Sequence, residues 1–366
     1  MNNISAIKRI PNITSVRFLL ALLVVIFHIP EFSRHRAFPF FNDLAIFNKG
    51  TEAVYMFFSL SGFLIIKQLF NEKKATGSIH LKGFYLRRIL RIFPLYYLVL
   101  GIGFLYYRLV LPYFGFDFES NYNLVTGILL SVTFFPNIFS TYGPGGILEI
   151  LWSIGIEEQF YLFIAPLFLI LPVKRIVLFL ASFTLCYYLL FFSNYGTFLK
   201  QYNMLFFYFS FSGLCAILLH KKYLQSFFRL LKYPILVAFI LYFTTYIFKN
   251  NISTSTYHII SLILFGFTIS ALALKPIKIL ENKTLNYLGK ISYGIYMYHV
   301  IVLQLVGLLY MKIISKFNLN PTLSIVIING LVIAITIIVA HFSYQYFESY
   351  FLKLKQKPSI KRHLKL

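Results

Sequence analysis

The sequence predicts an all-α, polytopic membrane protein, a helical bundle of about ten transmembrane helices. Three observations carry this prediction. Of 366 residues, 59% are hydrophobic and 12% are charged, against about 25% charged in a soluble domain. The 43 Phe and 28 Tyr are more large apolar side chains than one water-soluble core of this length buries, so much of the surface must face lipid. Apolar stretches long enough to cross a bilayer, about 20 residues each, recur along the whole chain.

In chain order these stretches are 15–33, 51–70, 90–110, 150–171, 175–193, 203–219, 233–249, 257–274, 287–311 and 322–347. The first follows Lys8 and Arg9 as a signal peptide would, but no small-residue cleavage site follows it and it holds Arg17 and His28, so it is kept as a span. The run Leu124–Phe135 is too short to cross and leads into Pro136 and the Tyr142-Gly143-Pro144-Gly145-Gly146 loop. A re-entrant or interfacial segment near 124–137 is expected there.

Charge sets the count and the orientation. With ten spans and a cytoplasmic N-terminus, 26 of the 34 Lys and Arg residues fall on the inner side, 7 of them between Lys67 and Arg91. An eleventh span at 124–135 would send the basic C-terminus outward, against the positive-inside bias. Both termini are therefore expected in the cytoplasm, with residues 1–351 forming one transmembrane domain and 352–366 a basic tail on an anionic leaflet. The net charge of +23 lies in short runs between spans, with no nucleic-acid motif beside them, so membrane lipid and not nucleic acid is the expected partner. Cys186 and Cys215 sit in apolar stretches, which argues against a disulfide framework or a metal site.

Ionisable groups inside spans are expensive and usually face a protein-lined cavity. Here they are Arg17, His28, Glu52, Arg87, Arg88, Arg91, Glu157, Glu158, His299, His341 and Glu348. Arg17 and His28 lie eleven residues apart on one helix, roughly 16 Å and near one face. Arg17 reads equally as an inner-leaflet anchor. His28 is deep toward the outer leaflet, where a helix-packing hydrogen bond is the plainer reading. The Arg87, Arg88 and Arg91 guanidiniums suit phosphates on a cytoplasmic ligand or lipid headgroups. Glu157 and Glu158 open the fourth span at its outer end and point about 100° apart, so at most one faces the cavity of His28. Ser292, Tyr296 and His299 follow helical spacing and form one polar stripe. A histidine with a carboxylate to fix its tautomer, above a cationic inner mouth, is equipment for acyl transfer to an alcohol.

These motifs resemble the acyltransferase-3 family of integral membrane O-acyltransferases, which modify bacterial surface glycans. Arg17 and His28 look like its first-helix motif, Phe57-Phe58-Ser59-Leu60-Ser61-Gly62-Phe63 like its second-helix signature, and Phe84–Pro94 like its basic third-helix start. The Trp152–Tyr161 and Ser292–His299 stretches correspond to two further blocks. The resemblance implies a multi-pass protein of the bacterial cytoplasmic membrane. It would take acetyl-CoA or another short acyl-CoA as donor and a glycan or lipid-linked sugar as acceptor, with other glycan-assembly proteins or a second copy as further partners. It implies His28 as base, Glu157 as its carboxylate partner with Glu158 beside it, and Arg17, Arg87, Arg88 and Arg91 for the coenzyme. Ser61, Trp152, Tyr161, Ser292 and His299 would line the site, and no metal is called for. A glycan exporter or flippase without acyl-transfer chemistry is the competing expectation, resting on the same polar path through the bundle.

Overall fold

In the computed structural model, which describes residues 10–116, 121–250 and 252–355, every regular element among those residues is a helix. Lys8, Arg9 and the tail beyond Lys355, expected on the inner leaflet, lie outside the described residues. The chain runs α1 (Ile13–His35), α2 (Gly50–Thr76), α3 (Leu81–Leu105), α4 (Leu124–Val132), α5 (Trp152–Ile170), α6 (Val173–Phe192) and α7 (Phe206–Leu218). It continues with α8 (Lys222–Leu230), α9 (Lys232–Thr244), α10 (Thr254–Leu274), α11 (Lys283–Lys290), α12 (Ser292–Lys312), α13 (Pro321–Phe342) and α14 (Ser349–Leu354).

Eight helical stretches are long and apolar enough to cross a membrane, and ten if two bent pairs each count as one crossing. The bent pairs are Asn194–Gln201 with α7, at 88°, and α8 with α9, at 59°. Both α7 and α9 have 13 residues, about 20 Å of helix, and so need their partner segment to reach across. Their predicted spans were longer. α9 ends at Thr244 because the chain turns extended at Thr245. The 124–137 segment is the nine-residue α4 followed by a turn of helix at Pro136–Phe139.

α3 begins at Leu81, earlier than the apolar run, so its three arginines ride on regular helix. At its far end the helix widens into a π turn over Tyr106–Val110 before Pro112. The proline ring crowds the carbonyl four residues back, that of Arg108, and the wider turn accommodates it.

α2 is the central helix, packed on α1, α5, α7 and α10. Its crossing with α7 needs two glycines. A Cβ on Gly62 would lie 2.1 Å from the Phe209 carbonyl oxygen, and one on Gly213 would lie 2.1 Å from Ile66. Small residues at such a crossing let backbones touch, which is how helices associate without a hydrophobic drive in lipid. Around this centre, Leu178, Leu185 and Leu189 on α6 and Val326 and Ile338 on α13 are all more than half exposed, the apolar rim that lipid covers.

Candidate active site

α1, α2, α3, α5 and α12 enclose a cavity of about 90 Å³, room for several waters or a narrow chain. Arg17, Arg88 and Arg91 line it together with Ser61, Ser153, Glu157, Tyr161, Ser292, Tyr293 and Tyr296, and apolar walls come from Phe57, Phe58 and Leu64. Five helices thus bring three cations and one carboxylate to one space.

Glu157 anchors the polar side. Its Oε1 accepts hydrogen bonds from the Ser61 hydroxyl and the Tyr161 hydroxyl, and Arg17 and Arg88 are its electrostatic neighbours. The Arg88 guanidinium lies 5.3 Å from the centroids of both the Phe84 and the Tyr161 rings, which meet edge to face, and its Nη2 donates to Gln68 at 3.1 Å. These contacts seat the guanidinium against two aromatic rings. Arg87 faces elsewhere, 3.9 Å from Glu72, and does not line the cavity.

His28 lies on the same helix as Arg17, about three turns on. Its Nδ1 is 2.9 Å from the Val24 carbonyl and 3.3 Å from His299 Nε2. His299 is fully buried, and its own Nδ1 meets the Tyr296 carbonyl. A carbonyl only accepts, so each Nδ1 carries a hydrogen. His299 Nε2 is then a bare acceptor toward His28 Nδ1–H, and the His28 Nε2 lone pair is left free. His28 itself is half-buried.

The carboxylate expected beside His28 is therefore replaced. Among the described residues, the hydrogen-bonding contacts to His28 come from Val24 and His299 and its carboxylate neighbour is Glu31, while Glu157 accepts from Ser61 and Tyr161 beside Arg17 and Arg88. The reason is depth. Glu157 shares the level of Arg17 and not the outer end of the bundle. Glu158 points away from the cavity, as its 100° offset requires, and is buried with Oε1 lacking a hydrogen-bond partner among the described residues. Trp152 packs edge-on against Phe58 at 5.8 Å and is not in the cavity wall. The polar stripe of α12 divides its work. Ser292 and Tyr296 face the cavity and His299 faces His28.

Sequence reasoning missed the hydrogen bonds that tie Tyr296 into the cavity wall. The Tyr296 hydroxyl donates to the Ile150 carbonyl at 2.9 Å and receives a bond from Ser153 at 2.7 Å. This hydrogen-bonded floor lies one helical turn from His299. Three other ionisable groups lie outside the cavity lining, Glu348 with Arg91 as an electrostatic neighbour. Glu52 accepts from Tyr257 and lies 3.6 Å from Lys49, His341 meets Tyr287, and Glu348 accepts from Ser343.

Residues 10–341 match a family described as an acyltransferase domain, of the acyltransferase-3 type. Among curated proteins, the peptidoglycan O-acetyltransferase OatA of Listeria monocytogenes is 26% identical over 333 residues, covering 81% of this chain and 50% of that protein. A putative acetyltransferase of Acidianus two-tailed virus, ORF330, is 28% identical over 81% of this chain and 84% of its own length. A putative O-acetyltransferase of Staphylococcus aureus is 25% identical over 94% of this chain and 58% of its own. The chain spans about half the length of the Listeria protein it matches. No solved structure matches.

Proposed function

The chain belongs to the acyltransferase-3 family, and from that premise we propose that it transfers acetyl from cytoplasmic acetyl-CoA to a sugar hydroxyl on the other side of the membrane. The observation that supports this reading is the pairing, within one bundle, of an arginine-lined cavity with a histidine pair, His28 and His299, one helical turn from the cavity-lining Tyr296. The names of the curated relatives, O-acetyltransferases acting on peptidoglycan in one case, agree with the acetyl donor and the glycan acceptor.

In this reading the arginine end is cytoplasmic, as the charge bias predicts. Arg17, Arg88 and Arg91 take the donor's phosphates, and Glu157 holds Arg17 and Arg88 in place. The pantetheine arm runs between Ser61 and Tyr293 toward Ser153 and Tyr296. The acceptor hydroxyl arrives from the outer side and gives its proton to His28 Nε2 as its oxygen attacks the thioester carbon. The C–S bond breaks, the ester forms, and the imidazolium returns its proton to the leaving thiolate. The Val24 carbonyl and His299 stabilise the imidazolium through its Nδ1–H.

The test is purified protein in lipid nanodiscs, given acetyl-labelled acetyl-CoA and isolated cell-wall glycan. Label should appear as base-labile ester with wild type and disappear with His28→Ala. Equal transfer by His28→Ala sinks the mechanism. Glycan translocation that proceeds without acetyl-CoA would favour the exporter.

A further inference from the structure

Cations crowd one end of the bundle beyond what the cavity itself uses. α14 packs against the start of α3, and Lys355, just past the end of α14, is half-buried there with Arg87, Arg88 and Arg91 within electrostatic reach. Its helix neighbour Lys353 is exposed instead. The counter-charges facing this group are Glu72, 3.9 Å from Arg87, Glu348, whose electrostatic neighbour is Arg91, and Glu157 and Glu158 beside Arg88. With Arg17 next to Arg88 and Arg91, five cations meet four carboxylates, and the electrostatic neighbours of Lys355 are the three arginines. The Arg88 Nε is buried with no hydrogen-bond partner among the described residues. Burial, and then the three arginines, hold the Lys355 ammonium down to about 8 from its usual value. Repelling cations kept together in a partly desolvated place are a store of electrostatic strain that an anion relieves.

We propose that Lys355 closes a phosphate-binding clamp with Arg88 and Arg91, so that the end of α14 grips the phosphorylated nucleotide of the donor. The assignment rests on the reading of the cavity as the donor site, and Lys355 lies beyond the 10–341 stretch that the family match covers. The shared chemistry is phosphate, which an anionic lipid headgroup also offers. The donor is favoured because Arg88 and Arg91 line the cavity that continues to Tyr296.

The experiment compares acetyl-CoA with acetyl-pantetheine, which lacks the nucleotide and its phosphates, in nanodiscs of phosphatidylcholine alone and with phosphatidylglycerol added. Lys355→Gln should raise the KM for acetyl-CoA about tenfold and leave that for acetyl-pantetheine unchanged in both lipids. Lys353→Gln, on the exposed side of the same helix, should stay within about twofold of wild type for both donors. Binding should also take up a proton near pH 8, because phosphate restores the Lys355 charge. The acetyl-CoA KM of the wild type should then climb as pH rises past 8, and Lys355→Gln should remove that climb. An unchanged acetyl-CoA KM in Lys355→Gln overturns the clamp, as does a loss that needs phosphatidylglycerol, which makes this a lipid site. If wild type forms no ester from either donor, the donor-site reading itself has failed and not the Lys355 assignment alone.

Discussion

His299 offers the sharpest test of the chemistry, because its side chain reaches His28 and nothing that a substrate would touch first. Replacing it with leucine keeps much of the volume but removes the acceptor 3.3 Å from His28 Nδ1. A hydrogen bond to a charged group contributes about 1.5–3 kcal/mol, and the charge here exists only once His28 has taken the proton. At about 1.4 kcal/mol per decade, His299→Leu should lower kcat about 10- to 100-fold. The lower end is the better expectation, since Val24 at 2.9 Å still holds the tautomer. KM for acetyl-CoA should not move. His299→Gln can return an acceptor oxygen near the place of Nε2 and should recover part of the rate. His28→Ala should be worse, about 100-fold or more, and adding His299→Leu to it should lower the rate no further, because the two act as a unit. Steady-state ester formation with varied acetyl-CoA decides this. A wild-type kcat in His299→Leu, or a rise in KM alone, refutes the positioning role.

Three further outcomes are expected. Arg88→Lys keeps the charge but loses the guanidinium seated against Phe84 and Tyr161 and the fork that grips phosphate, so KM for acetyl-CoA should rise about tenfold; an unchanged KM would place the phosphates elsewhere. Tyr296→Phe removes the bonds to Ser153 and the Ile150 carbonyl and should raise acetyl-CoA hydrolysis relative to transfer about threefold or more, read as free CoA against ester. Gly62→Ala drives a methyl to within 2.1 Å of the Phe209 carbonyl and should lower the apparent melting temperature in detergent by roughly 5 °C or more; a wild-type melting curve would mean that α2 and α7 are not held this closely.

Hydropathy made the spanning helices legible, because lipid demands a single property over a known length. It overstated α9, because the residues after Thr244 stay largely apolar while the chain turns extended at Thr245. Local geometry also separated Glu157 from Glu158, for a 100° step is a fact about any helix. What stayed hidden was depth and partnership. His28 and His299 are 271 residues apart, and the polar stripe on α12 said only that His299 faced something polar. Expecting a carboxylate there was reasonable chemistry applied to the wrong level of the bundle. Arg17, Arg88 and Glu157 come from three helices, and no spacing rule relates them. Lys355 read as leaflet-binding because a tail of lysines looks alike from the sequence whether a given one turns toward lipid or toward α3.

The floor made by Ser153, Tyr296 and the Ile150 carbonyl has a meaning beyond confining a substrate. An energised membrane stores energy as a proton gradient, and a continuous file of water through any protein in it is a short circuit. Protons hop along chains of hydroxyls whose bonds are free to turn over. Here the Tyr296 hydrogen is committed to a carbonyl and the Ser153 hydrogen to Tyr296, so the groups best placed to conduct are already locked. In the proposed function, an acyl group would be handed across such a partition while the voltage on either side is kept.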